Sequence, residues 1–383
     1  MFATSFFFNV TNFYLTTSVI WSCTYFYLFF YIALIFSVVI YLVSTVNEFL
    51  NFSTYKNLSN STFVSGFNMF KLLVTPILLL LLLNFSWSGA EVLAWFGHVI
   101  FTSFQFKVSY LIFWSYLFVC VVYSSIFYYT SQEVYDFSIV TYSFFCWIVF
   151  LFTANNAFTL IFLIEVLSTL ITLLLITSVF SSAYFYNNLN FSNTLYFDNL
   201  LPTAFLQTLL FFFWISLVSS LNLFVFLILF YLTFLTFDWF LLDAIVYYVV
   251  TLGDVKKVFT VSAIWFNFMF CLFIKCGLVP FFFWKPTFFK GITLATLFMY
   301  ICFYYYFLLL FFSYFLVIYM NELFFFNTAI NYLFLLSGTL ILVFILCESY
   351  YIKAFLALSS ILNTLFVFLA LSAFPVTDCY FLF

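Results

Sequence analysis

The sequence predicts an all-α integral membrane protein of about ten transmembrane helices, and three observations carry that expectation. Of the 383 residues 68% are hydrophobic and only 5% are charged, a balance that suits lipid and leaves no stretch polar enough to form a soluble domain. Apolar runs recur along the chain at about twenty residues, the length that spans hydrocarbon. The longest polar interruptions are rich in Asn and Ser and read as loops.

Taken in order with a window of that length, the apolar runs place spans at roughly 21–46, 68–87, 107–130, 137–153, 156–181, 204–232, 258–283, 292–318, 329–347 and 352–374. The first two are parted by NEFLNFSTYKNLSNSTFVSG, residues 47–66. The fifth and sixth are parted by SAYFYNNLNFSNTLYFDNLL, residues 182–201 with its leading serine. The sixth and seventh are parted by 236–257, which closes on Asp254, Lys256 and Lys257. The seventh runs into a Gly-x-x-Pro break at Gly277 and Pro280, and an aromatic loop ending in Lys-Gly leads to the eighth. Lys56, Lys71, Lys107, Lys256, Lys285, Lys290 and Lys353 are spread too evenly for the excess of cytoplasmic lysine to orient the chain.

Composition also excludes function classes. Nine lysines against twelve acidic residues give a net charge of −3, and arginine is absent, so the chain has no basic face for nucleic acid and no guanidinium for phosphate. The cysteines at 23, 120, 146, 271, 276, 302, 347 and 379 lie mostly within apolar runs without a Cys-x-x-Cys, as small buried apolar residues do. A single histidine, His98, rules out a bis-histidine haem or copper centre within the chain. The amino terminus shows no import signal. Seventy phenylalanines and 29 tyrosines are what a thymine-rich genome imposes on a protein that needs apolar bulk, which points to synthesis inside an organelle.

Two charges lie well inside spans. Glu165 stands nine residues past Asn156, about 14 Å along a helix, and Lys275 stands nine residues before Trp284, a similar depth from an aromatic expected at the membrane interface. A charge in hydrocarbon is costly, so a retained one marks a functional site. Burial favours the neutral form and an opposite partner favours the ionised form; the balance makes a proton site tunable. The two are therefore expected to approach within about 3 to 6 Å, directly or through one water. The alternative is that Lys275 snorkels and Glu165 caps a neighbour's polar groups. Lys71 and Lys107 lie near span starts, where snorkelling explains them, and Lys353, opening the tenth span, sits between the two cases.

The stretch FIKCGLVPFFFWKPTFFKG resembles the seventh-helix and following-loop signature of chain 2 of NADH–ubiquinone oxidoreductase, an antiporter-like membrane subunit of respiratory complex I. ANNAFTLIFLIEVLSTL resembles that family's fifth helix, FLQTLLFFFWISLVSSLNLFVF its sixth, and YYIKAFLALSSILNTLFVFLAL its ninth-to-tenth region, with Lys353 and the Ser359-Ser360 pair. The sibling chains 4 and 5 and related antiporters share the glutamate and lysine; the Pro-Phe-aromatic-aromatic-Trp run favours chain 2.

The resemblance implies a three-helix segment over 1–136, a five-helix antiporter-like repeat with a broken helix over 137–318, and the start of a second repeat over 319–383. It implies a proton relay through the Glu165–Lys275 ion pair, with Gly277 and Pro280 forming the helix break and Tyr305 and Lys353 as further members. It implies a multi-pass subunit of the mitochondrial inner membrane, surrounded by lipid and by other membrane-arm subunits. FMN, iron–sulfur clusters and ubiquinone would then sit on those other subunits, with no cofactor on this chain. The alternatives are a stand-alone cation/proton antiporter and a structural subunit whose proton path has decayed.

Two departures stand beside the resemblance. The family places another lysine in helix eight, about thirty residues after the first, and here that count falls on Tyr305, with no lysine or histidine from Gly291 to Tyr319. A phenol titrating near 10 cannot store a second proton as an ammonium does. Tyr304, Tyr305 and Tyr306 could instead support a hydrogen-bonded chain if they face the interior. The family fold also continues beyond ten helices and carries a further lysine on helix twelve, so a separate polypeptide docking beside 320–383 is expected to supply the rest, genuine loss of those helices being the alternative.

Overall fold

The computed structural model of the chain describes residues 32–37, 39, 76–80, 92–94, 97–101, 103–126, 131–187, 200–253, 255–319 and 328–373. Most of the first two expected spans, the 47–66 loop, Lys56, Lys71, Asp254, Cys23, Cys379 and residues 320–327 lie outside the described residues. The protein is an all-α integral membrane protein with an antiporter-like fold, and its chain divides into two compact units, Met1–Asn155 and Asn156–Phe383.

In the first unit a short antiparallel hairpin pairs β1 (Val92–Ala94) with β2 (Val99–Phe101), Val92 lying opposite Phe101. An all-helical expectation has no place for it, because strands of three residues carry no readable alternation. Helices α1 (Ser103–Ile126) and α2 (Ser131–Thr153) pack on each other, and they bury Ile112 and Phe113 on α1 and Phe144 and Phe145 on α2. The Tyr116 ring meets Tyr142 and Phe145 edge-on, with centroids 5.4 and 5.1 Å away, the arrangement that aromatic quadrupoles favour. Beyond α2, the Asn155 backbone N–H donates to the His98 carbonyl at 3.0 Å and its side-chain amide donates to that of Gly97 at 2.7 Å.

The second unit begins with α3 (Ala157–Asn187), whose first N–H donates to the Phe237 carbonyl at 2.9 Å, giving an otherwise unpaired helix-start donor a partner. The long α4 (Leu200–Phe234) is followed by α5 (Trp239–Leu252), a fourteen-residue helix inside the stretch expected to be a loop. The flanking acidic residues mask its apolar run DAIVYYVVTL in the sequence. Helix α6 (Val255–Cys276) stops seven residues before the end expected for its span, and a separate α7 (Trp284–Gly291) follows the break. The eighth span comprises α8 (Leu294–Met299), a π-helical turn at Tyr300–Tyr305 and α9 (Tyr306–Tyr319). Helices α10 (Thr328–Cys347) and α11 (Ile352–Ala373) complete the described part.

Helix α4 packs most extensively on α6 and α7, while α11 packs on α10 and α7. Phe226, Phe230, Trp239 and Phe268 fill the space between α4, α5 and α6; Phe212 of α4 stacks on Phe288 of α7 at 5.0 Å. The opposite side of α4 presents Phe211, Trp214, Val218, Leu221 and Phe224 outward, an apolar face suited to lipid. Among the described residues, four stretches are long and apolar enough to cross a membrane: Ala157–Ser178, Phe205–Phe234, Val255–Cys276 and Thr296–Ser313. Lys107–Val121, Ile139–Thr153, Leu335–Cys347 and Ile352–Phe368 are shorter apolar helices.

Candidate functional site

The break after α6 follows from one glycine. Gly277 adopts φ +62°, its N–H donates to the Ile274 carbonyl at 3.2 Å, and the Leu278 N–H reaches back to the Phe273 carbonyl at 2.9 Å. This pair of bonds is a Schellman cap, which closes a helix with a left-handed residue that favours glycine. Leu278, Val279 and Pro280 then reverse the chain, with the Phe281 N–H donating to the Leu278 carbonyl at 2.7 Å.

The reversal brings Trp284 back against the helix it follows. Its indole N–H donates to the Ile274 carbonyl at 3.2 Å, and its ring lies where a side chain on residue 277 would stand. Trp284 is buried against α6, and because that helix ends at Cys276 the 14 Å reckoned along a continuous helix from Trp284 to Lys275 does not apply.

Lys275 occupies the last turn of α6, where exposed carbonyls favour a cation. Its ammonium donates to Oε1 of Glu165, on α3, at 2.6 Å. The two ends of this pair differ in access, the lysine side chain being 3% exposed and the glutamate 27%. Ser168 Oγ lies 3.4 Å from the other carboxylate oxygen and donates to the Glu165 carbonyl at 2.7 Å. The sealed amine thus faces a carboxylate with one accessible side.

Lys285, grouped with the scattered loop lysines in the sequence, proves to be fully buried. Its amine lies 3.5 Å from the Cys276 carbonyl at the end of α6 and 3.4 Å above the centre of the Tyr305 ring. Among the described residues no carboxylate lies within salt-bridge reach of it. The missed signal was the spacing: once Gly277 ends the helix, the chain must double back, and the residue after Trp284 turns inward with it.

Tyr305 belongs to the π-helical turn. On an α-helix, residues five apart point about 140° away from each other. The wider turn instead stacks Tyr300 on Tyr305, with centroids 6.4 Å apart and planes 20° from parallel. The Tyr305 hydroxyl donates to Thr364 Oγ1 on α11 at 3.0 Å, and Thr364 donates to the Ile361 carbonyl. Tyr304 is also buried, whereas Tyr306 is exposed, so the three consecutive tyrosines do not act together. Tyr305 meets Lys285 and not Lys275. Lys353, at the start of α11, donates to the Ile292 carbonyl at 2.7 Å, binding the α7–α8 junction. Of the cysteines, Cys120, Cys146, Cys271 and Cys276 are buried, while Cys302 and Cys347 are exposed. Among the described residues no three His, Cys, Asp or Glu side chains gather as metal ligands would.

Solved structures share the fold of this chain. A chain of the membrane-bound sulfane sulfur reductase, an archaeal respiratory membrane complex, aligns with 92% of this chain and 64% of its own length at 13% identity, with a TM-score of 0.62. The chain has that fold. A chain of respiratory complex I from Thermus thermophilus, solved with bound aureothin, aligns with 79% of this chain and 58% of its own at 15% identity, TM-score 0.54. The present chain therefore spans about three fifths of the length of both. No family model and no curated protein matches it in sequence.

Proposed function

We propose that this chain is a proton-translocating membrane-arm subunit of respiratory complex I, similar to chain 2 of the mitochondrial enzyme, with Glu165 and Lys275 as its relay. The observation that supports this reading is the 2.6 Å contact between two ionisable side chains carried by separate apolar helices, Glu165 within α3 and Lys275 at the end of α6. A charge pair inside hydrocarbon adds little stability over apolar packing, so its presence calls for a use.

The unequal access of the two groups supplies one. A proton reaching the open side of Glu165 neutralises the carboxylate. The sealed Lys275 ammonium then loses its counter-charge, and an uncompensated buried charge costs several kcal/mol. Its proton passes to an acceptor on the sealed side, and the carboxyl proton of Glu165 then moves across the 2.6 Å contact to the amine, restoring the ion pair. Electron transfer would proceed on other subunits, which would hold the flavin, iron–sulfur clusters and quinone.

The test uses native membranes carrying Glu165→Gln or Lys275→Met. Native gels report whether the chain comigrates with a large NADH-oxidising complex, and a fluorescent pH probe reports protons moved per NADH oxidised. The expected result is an assembled complex with a lowered proton yield in both variants. Unchanged yields would overturn the relay, and a chain migrating alone while exchanging cations for protons would replace the subunit reading with a stand-alone antiporter.

A further inference from the structure

A lysine buried on every side is rare unless a carboxylate pairs with it. Lys285 is 0% exposed, and its two neighbours are weaker partners than an acid: the carbonyl of Cys276 and the face of Tyr305. The end of α6 contributes about half a negative charge, spread over its last carbonyls. The ring adds the attraction of its negative face. These partners hold a cation loosely, whereas a carboxylate would fix it in the charged state.

Its position adds a direction. The carbonyl it contacts belongs to Cys276, the residue next to Lys275, so both lysines lie at the end of one helix. The ring beneath it carries the hydroxyl that donates to Thr364 on α11. The stacked Tyr300 has a buried hydroxyl with no hydrogen-bond partner among the described residues. A buried polar group in that state is ordinarily satisfied by water.

We infer that Lys285 is a second proton-carrying amine, receiving the proton given up at Lys275 and passing it toward the Tyr305–Thr364 hydroxyl pair. One N–H bond breaks on the Lys275 ammonium and one forms on the Lys285 amine, directly or through water, with no change in oxidation state. The inference rests on the proton-relay reading and assigns the step after it.

The competing explanation is a structural cation that anchors the helix break. Lys285→Arg separates the two, because arginine keeps the charge and never releases its proton at working pH. The experiment compares Lys285→Arg, Lys285→Met and Tyr305→Phe with Glu165→Gln in membranes holding the assembled complex, scoring NADH oxidation and proton yield. For a proton carrier, both Lys285 variants lower proton yield by about tenfold or more, with the complex still assembled. Tyr305→Phe, which keeps the ring and loses the hydroxyl, lowers it as well. Recovery of normal yield by Lys285→Arg would overturn the inference, and that variant decides the matter if Lys285→Met fails to accumulate. Loss of yield in Glu165→Gln with full yield in Lys285→Arg would sink this step and leave the first relay intact. Full yield in all four would remove both.

Discussion

Val279 occupies the space where a side chain on Gly338 would stand. A carbon built on Gly338 would lie 2.6 Å from Val279 Cβ and closer still to Cγ1, so α10 meets the turn after α6 backbone to side chain. Adding one methyl there forces the turn or α10 to move. Gly338→Ala should therefore lower the stability of the detergent-solubilised protein by about 1 to 3 kcal/mol, and Val279→Ala in the same chain should restore much of it. Thermal unfolding of the single and double variants checks this; equal loss in both would show that the contact is not tight.

Gly277 and Gly253 both adopt positive φ, at +62° and +66°, but only Gly277 is crowded. A methyl on Gly277 would stand 3.1 Å from the Trp284 ring and 3.3 Å from Lys285 Cδ, while one on Gly253 would meet nothing within 4 Å. Both alanine variants incur a left-handed backbone cost of about 1 to 2 kcal/mol. Gly277→Ala should lose more than Gly253→Ala in the same unfolding assay, and identical losses would mean that Trp284 yields freely.

The Glu165–Lys275 pair should respond unequally to losing either member. Glu165→Gln strands a sealed ammonium, at a cost of up to about 3 kcal/mol, whereas Lys275→Gln leaves a carboxylate that already has an accessible side. Unfolding temperatures should therefore fall further for Glu165→Gln. A larger fall for Lys275→Gln would contradict the asymmetry of access.

Tyr305 and Thr364 make a similar comparison. Thr364→Val removes the only acceptor for the Tyr305 hydroxyl among the described residues, a loss of about 1 to 3 kcal/mol for a buried donor. Tyr305→Phe leaves Thr364 still donating to Ile361, so it should cost about 1 kcal/mol. The double variant should cost less than the sum, and strict additivity would show that the hydroxyls do not meet.

Glu165 and Lys275 were legible because each interrupts an apolar run far from its ends, and hydrocarbon leaves such residues few explanations. Gly277 and Pro280 were legible for a related reason, since both interrupt helices by backbone chemistry alone. Lys285 was not, because its burial depends on the chain folding back through Gly277, and residues after a break carry no periodic signal of their own. The π-helical turn was hidden among tyrosines that read as compositional bias. Helix α5 was hidden because acidic residues at both ends resemble a loop. In each case the information lay in a contact between distant segments, such as Lys285 with Tyr305, which local pattern cannot show.

Helix α11 is tied to its neighbours at two heights, at its start and about three turns further on. Lys353 holds the Ile292 carbonyl, Lys290 stands 4.7 Å over the ring of Tyr351, and Thr364 receives the Tyr305 hydroxyl. Ties at one height would let the helices pivot; ties at two, about three turns apart, make them move as one lever. Sliding α11 by a single helical turn, about 5.4 Å, would break all three together. A neighbour bearing on α11 would then meet resistance to the slide until the ties gave way at once, and the Tyr305 ring beneath Lys285 would shift in the same stroke.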